Sequence, residues 1–250
     1  MLAITRRKVI RELLQAQKSV AITELASQLN VTRETIRRDL RTMEKNNELI
    51  RTHGGAYILE GVQNDLDIST RQVLKTSEKE IIAQKCDALI ESGDIIYLDS
   101  STTAWFIARK IVDRKLTVVT SSLKIANILH DSPTITLILI GGEFSHRTMS
   151  FSGDSAVRNL QQYFTDKAFI SCRSVSMEFG ITDTNDNTAL LHQIALHHAK
   201  TKYLAVDHSK LNHISFTSVM SLKELDGIIM DREFSPEWKE FLRRNQIAYY

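Results

Sequence analysis

"TRETIRRDL", residues 32–40, places three arginines beside two acids, with Ile36 and Leu40 set four residues apart. The spacing continues to Met43, so Ile36, Leu40 and Met43 fall at i, i+4 and i+7 on one face of a helix. Thr32 is a good N-cap, and the helix is expected to run to about Asn46. At about 100° per residue, Glu34, Thr35, Arg38, Arg41, Thr42 and Lys45 then project on the opposite side, flanked by Arg33 and Arg37.

Working outward, Ile4, Val9, Ile10, Leu13 and Leu14 recur at helical spacing and predict a helix over about residues 4–17. Thr23 is read as the cap of a short helix, 24–29, with Leu25, Ala26 and Leu29 in one stripe. Asn30 and Val31 form a tight connection. A short helix, a turn and a longer arginine-rich helix make a helix-turn-helix whose second helix fits a DNA major groove. After it, "ELIRTHGGAYI" alternates around Gly54-Gly55 like a β-wing and carries Arg51 and His53. The candidate DNA contacts are therefore Thr23, Thr32, Arg33, Glu34, Thr35, Arg37, Arg38, Arg41, Thr42, Lys45, Arg51 and His53. Arginine pairs bidentately with guanine, and threonine meets a base edge or a phosphate. A merely solvated basic hairpin would show the same helices. The charge distribution favours DNA, because residues 1–58 hold 11 Lys+Arg against 6 Asp+Glu, whereas the rest holds 21 against 24.

The stretch "TELASQLNVTRETIRRDLRTME", followed by "LIRTHGGA", resembles the signature of the DeoR family of bacterial transcription regulators over residues 5–57. That resemblance implies a winged helix-turn-helix domain at 1–58 with its reading helix at about 32–45.

With 250 residues, 42% apolar and 25% charged, the chain has room for a second, larger domain. No apolar run approaches the roughly 18–20 residues that cross a bilayer, and the N-terminus lacks an export signal. Cys86 and Cys172 sit in apolar runs without metal-type spacing and read as reduced thiols of a cytoplasmic protein. Neither a metal nor a cofactor is expected.

Residues 59–75 are polar and weakly patterned, as in a linker, and 76–250 form the second domain. Ser77 to Glu80 reads as a capping box, opening a helix that stops at Gly93. Apolar strands at 94–100, 116–122, 134–143, 167–172, 202–207 and 226–231 alternate with helical runs. That order predicts an α/β domain with a mostly parallel sheet buried on both faces. Ligands of such sheets bind at the carboxyl ends of the strands. The loops there carry Asp99, Ser100, Ser101, Thr102 and Thr103, then Ser121 and Ser122, then Gly141, Gly142 and Glu143, then Lys210. Helix-start amides and short hydroxyls favour an anion, although each loop taken alone is more often just a cap or a turn.

"GDIIYLDSSTTAW", "LTVVTSS", "LILIGGE" and "VDHSK" resemble the family's sensor domain, which is itself similar to ribose-5-phosphate isomerase. The resemblance implies a phosphorylated sugar as effector, with its phosphate on the 99–103 loop. The chain departs from the common pattern at Ser101, where Gly is usual, at Ser121, where Asn is usual, and through 171–176. It departs again at Ala189 and His192, where Glu and Lys are usual. The branch similar to L-fucose operon regulators shares some of these features. Arg173 and His192 either read the ligand in a changed pocket or lie on the surface.

The expected function is a DNA-binding regulator of a carbohydrate operon, repressing by default and responding to a phosphorylated sugar. Double-stranded operator DNA, the effector and a second copy of the chain, as dimer or tetramer, are the expected partners. Two alternatives remain open. One is an isomerase- or deaminase-like enzyme using Asp99, Asp183, Asp207 or His192. The other is a DNA binder whose second domain only oligomerises.

Overall fold

The computed structural model describes residues 2–17, 19–45, 48–51, 54–57 and 68–250. The chain divides into two compact units, Met1–Arg71 and Gln72–Tyr250.

In the head, α1 (Ala3–Gln17), α2 (Ile22–Gln28) and α3 (Arg33–Lys45) pack around one apolar cluster. Ile36, Leu40 and Met43 are each 0% exposed at its centre, with Ile10, Leu14 and Leu25 beside them. The i, i+4, i+7 spacing thus buries the face it predicts. Asn30 takes the left-handed conformation (φ 49°) in the α2–α3 connection, which Asn tolerates because its short amide bonds locally. Two expectations are corrected. Ile4, counted in the apolar repeat of α1, is 78% exposed. Thr23 does not cap α2: the helix starts at Ile22 after Ala21, without a side-chain cap, so Thr23 stands exposed in its first turn.

The wing is a three-stranded antiparallel sheet in which β3 (Gly55–Tyr57) lies between β1 (Ser19–Ala21) and β2 (Ile50–Arg51). Gly54-Gly55 reads as a turn in the sequence, but Gly55 is the first residue of β3. A Cβ there would lie 2.1 Å from the carbonyl oxygen of Val20, so the close strand approach requires glycine. His53 lies outside the described residues, as does the side chain of Lys45.

The residues read as a linker include a helix, α4 (Ile68–Val73). The second unit continues with α5 (Thr76–Asp87), β4 (Ile95–Leu98), α6 (Thr102–Lys110), β5 (Leu116–Thr120), α7 (Leu123–Leu129) and β6 (Ile135–Leu139). The hairpin β7 (Glu143–Ser145) and β8 (Ser150–Ser152) follows, then α8 (Gly153–Leu160) and β9 (Thr165–Ile170). Next come β10 (Ser174–Ser176), β11 (Gly180–Asp183), α9 (Asp186–His197), β12 (Ala199–Val206), β13 (Thr217–Met220) and β14 (Gly227–Met230). The chain closes with α10 (Pro236–Arg244) and β15 (Ala248–Tyr249).

The main sheet has seven strands in the order β15-β14-β12-β9-β4-β5-β6, and every pairing is parallel. Strand residues alternate between two cores. Ile96, Leu98, Val118 and Phe169 face the cluster formed with α5, α6 and α7. Tyr97, Val119, Ala168 and Ile170 face the cluster formed with α8, α9 and α10. That period of two explains the near-continuous apolar runs, since both faces of each central strand are covered. A smaller antiparallel sheet, β10-β11-β13, packs against α9.

The capping box at Ser77 is also corrected. Helix α5 starts two residues earlier than a Ser77 cap would set, at Thr76 after Lys75 in a left-handed conformation, and the Ser77 hydroxyl donates to Glu78 Oε2 at 2.9 Å. The α-helix ends at Asp87, short of Gly93. Cys86 and Cys172 are free and buried, and burial pushes both thiols well above their ordinary range. Among the described residues, no helix is long and apolar enough to cross a membrane.

Candidate DNA interface and effector cleft

Helix α3 presents two faces of opposite character. Thr32 caps it, its Oγ1 accepting the Thr35 amide at 3.2 Å. Arg33, Glu34, Arg37, Arg38 and Arg41 are exposed, and Thr35 and Thr42 half-buried. The two acids of the opening stretch have separate tasks. Asp39 turns inward to an ion pair with Arg6, both nearly inaccessible to solvent. Glu34 stays outside, 3.2 Å from Arg37. Arg33 and Arg38 make no side-chain hydrogen bond among the described residues. Thr42 donates its hydroxyl to the Arg38 carbonyl at 3.0 Å. Arg51 on the wing is held by Glu44 at 2.6 Å, and that bond is the main cause of the lowered Glu44 carboxyl pKa. Among the described residues, Arg33, Arg38 and Arg41 are therefore the cations of this surface that no ion pair restrains.

In the second unit a cleft of ≈ 290 Å³ opens at the carboxyl edge of the sheet. Its walls are Tyr97 and Ser100 from the end of β4, Ser121 from the end of β5, and Ser145, Arg147, Thr148, Ser150, Phe151 and Ser152 from the β7–β8 hairpin. Asn185, Asn187, Thr188, Leu191 and His192 from the start of α9 complete it. The hairpin is fastened to the β5 loop: Phe151 N donates to Ser121 O and Leu123 N to Met149 O, each at 2.9 Å.

His192 forms the floor. Its Nε2 lies 3.3 Å from Asp99 Oδ2 and its Nδ1 lies 3.6 Å from Asp183 Oδ2. Among the described residues Nδ1 has no hydrogen-bond partner, although it is shielded from solvent. Burial disfavours the imidazolium, but the bond and charge of Asp99 and the charge of Asp183 prevail and raise its pKa. Asp99 is fixed in turn, accepting from the Ser101 amide at 3.0 Å and the Ser171 amide at 2.7 Å. Burial, and then the charge of Asp99, raise the pKa of the Tyr97 phenol, so it stays neutral.

Of the effector residues expected from the sequence, Ser100, Ser121 and His192 line the cleft, and Asp99 supports them from behind. Ser101 and Ser122 cap α6 and α7, accepting from the Ala104 amide at 3.0 Å and the Ile125 amide at 3.3 Å. Thr102 and Thr103 are buried in the first turn of α6. Gly142 makes room for the Ser152 carbonyl, 2.5 Å from where its Cβ would stand. Glu143 places its carboxylate over Gly153, at the start of α8, where the helix dipole favours an anion. Gly141, Arg173 and Lys210 are not among the lining residues. Lys210 instead acts on Asp207. Burial would raise that carboxyl, but the charge of Lys210, together with Ser209 and Lys75, lowers it to about 2.

The sequence reading missed the hairpin wall and the Asn185–Thr188 wall. The hydroxyl-rich "SHRTMSFS" after Gly-Gly-Glu was the available signal for the first. Asn185 is consistent with a plain cap, because its Oδ1 accepts the Thr188 amide at 2.8 Å.

Residues 6–62 match the DeoR-like helix-turn-helix domain, and residues 74–232 match the DeoR C terminal sensor domain. The uncharacterized HTH-type transcriptional regulator YulB of Bacillus subtilis is 35% identical over 94% of this chain and 92% of its own length. The lactose phosphotransferase system repressor of Lactococcus lactis subsp. lactis is 35% identical over 94% of this chain and 93% of its own. Among solved structures, ribose 5-phosphate isomerase A of Methanocaldococcus jannaschii aligns over 53% of each chain at 18% identity and a TM-score of 0.40.

Proposed function

This chain belongs to the DeoR family, as a DNA-binding transcription regulator, and from that premise we propose that the cleft at His192 receives a phosphorylated sugar whose binding changes the head's affinity for its operator. The composition of the cleft wall carries this reading. Eight hydroxyl side chains and two amides surround Arg147 and His192, and no carboxylate lines the wall among the described residues. A sugar needs many neutral donors and acceptors, and a phosphate needs a cation within reach, which Arg147 supplies on the wall.

The same wall argues against an isomerase. Proton transfer between sugar carbons needs a base facing the substrate. Asp99 and Asp183 are instead turned onto His192, whose two nitrogens face those carboxylates. The reading that this protein is a repressor of a carbohydrate operon follows its relative from Lactococcus lactis, which is named a lactose phosphotransferase system repressor. The reading of a homo-oligomer is supported by exposed Phe164, Phe179, Ile214 and Phe216 on the second unit. Sedimentation of the full chain tests it, and a monomer at micromolar concentration would reject it.

A thermal-shift screen against phosphorylated sugars tests the effector. A ligand held at 100 times its Kd should stabilise the protein by about 2.7 kcal/mol. The active compound should also change operator affinity in an anisotropy titration. Silence in both assays across hexose and pentose phosphates would leave the cleft without its function.

A further inference from the structure

The chain enters the second unit through a short segment that is tied twice to loops at the carboxyl edge of the sheet. Gln72 Oε1 accepts from Lys124 Nζ at 2.7 Å, and Lys124 stands in the first turn of α7, just past Ser121 of the cleft wall. Three residues further on, Lys75 Nζ lies 3.0 Å from Asp207 Oδ1. Asp207 follows β12 and is almost fully buried, with the Ser209 amide and hydroxyl bound to the same oxygen.

Lys75 has φ 51°, a conformation that side chains other than glycine rarely adopt. Such strain persists only where the surroundings over-determine it. Here they do. Lys79, buried in α5, donates from Nζ to the Leu74 carbonyl at 2.6 Å, and the ion pair with Asp207 holds the next residue.

We propose that the Lys75–Asp207 pair is a latch through which an occupied cleft alters DNA binding by the head, with Lys124–Gln72 as the link that loads it. The proposal rests on the cleft being the effector site. The covalent path from head to body runs through residues 72–75. The hairpin, Ser121 and the start of α7 are bonded together, so a ligand that draws the hairpin inward also moves Lys124. From Gln72 to Lys75 the backbone spans at most about 10 Å, which leaves little slack to absorb the movement. A strained residue held by one carboxylate then has two discrete states, held and released, as coupling between sites requires.

The test uses full-length protein and an operator that it selects from random-sequence DNA. The probes are glucose 6-phosphate, galactose 6-phosphate, fructose 6-phosphate, fructose 1-phosphate and ribose 5-phosphate, with inorganic phosphate as control. Wild type, Lys75→Met and Lys75→Arg are compared for sugar-phosphate affinity by calorimetry and for operator affinity with and without the probe. In Lys75→Met the sugar-phosphate affinity should stay within twofold of wild type. Its probe-induced change in operator affinity should fall below twofold, and Lys75→Arg should restore it. A wild-type response in Lys75→Met overturns the latch. So does a tenfold loss of sugar-phosphate affinity, which would move Lys75 into ligand binding. If wild type itself answers to no probe, the effector reading fails, and the latch falls with it.

Discussion

His192 Nε2 faces Asp99 Oδ2 at 3.3 Å across the floor of the cleft, joining the first helix turns of α9 to the end of β4. On its other side Asp183 closes the bracket from the end of β11. One imidazole thus ties the parallel sheet to the small antiparallel one. Its pKa in the folded protein is raised above the ordinary His value. The stabilisation it supplies is therefore complete below about pH 6.5 and fades as pH rises through the folded value. The melting difference between wild type and His192→Gln should be widest at pH 5.5 and shrink toward pH 8.5. A gap that is flat or grows with pH would show that the charge on His192 does not hold the floor.

Arg38 is exposed on α3 without a side-chain partner among the described residues, whereas Arg37 is shared with Glu34. Arg38→Ala should cost about 1–3 kcal/mol of operator binding, roughly five- to 150-fold, with melting unchanged. Arg37→Ala should cost less. Equal, small losses at both positions under low salt would place this helix face away from the groove.

Arg6 and Asp39 form an ion pair in the interior of the head. Arg6→Met strands a buried carboxylate and should destabilise the head by about 3–5 kcal/mol. Arg6→Met with Asp39→Leu should recover most of that, because no buried charge is left. Chemical denaturation of the full chain, followed by a probe in the head, distinguishes the two. A double variant no better than the single would show that the pair contributes net attraction beyond mutual neutralisation.

Gly55 passes so near Val20 that a methyl group would overlap its carbonyl. Gly55→Ala should destabilise the wing by about 1–3 kcal/mol, the usual range for overpacking. Gly54→Ala should do far less, because no described residue stands within 4 Å of its Cβ position. Hydrogen exchange at β3 amides reports the difference, and equal protection in the two variants would contradict the close strand approach.

The amino-acid sequence by itself determined the head helices, the α/β class of the second unit and the buried face of α3. Each of these follows from a local repeat: Ile36, Leu40 and Met43 at helical period, or alternate residues such as Ile96 and Tyr97 facing opposite cores. It also pointed to the strand-end loops as a candidate place for a ligand, because parallel strands send all their carboxyl ends to one edge. Only the tertiary structure decided which hydroxyls remain for a ligand: Ser101 and Ser122 are taken by helix caps, while Ser100 and Ser121 face the cleft. It alone brought Asp99, Asp183 and His192 together, added the hairpin with Arg147, and turned Asp39 inward to Arg6. Periodicity records which side of an element is buried, but strand order and helix placement set which distant side chains converge, and no local pattern encodes that order.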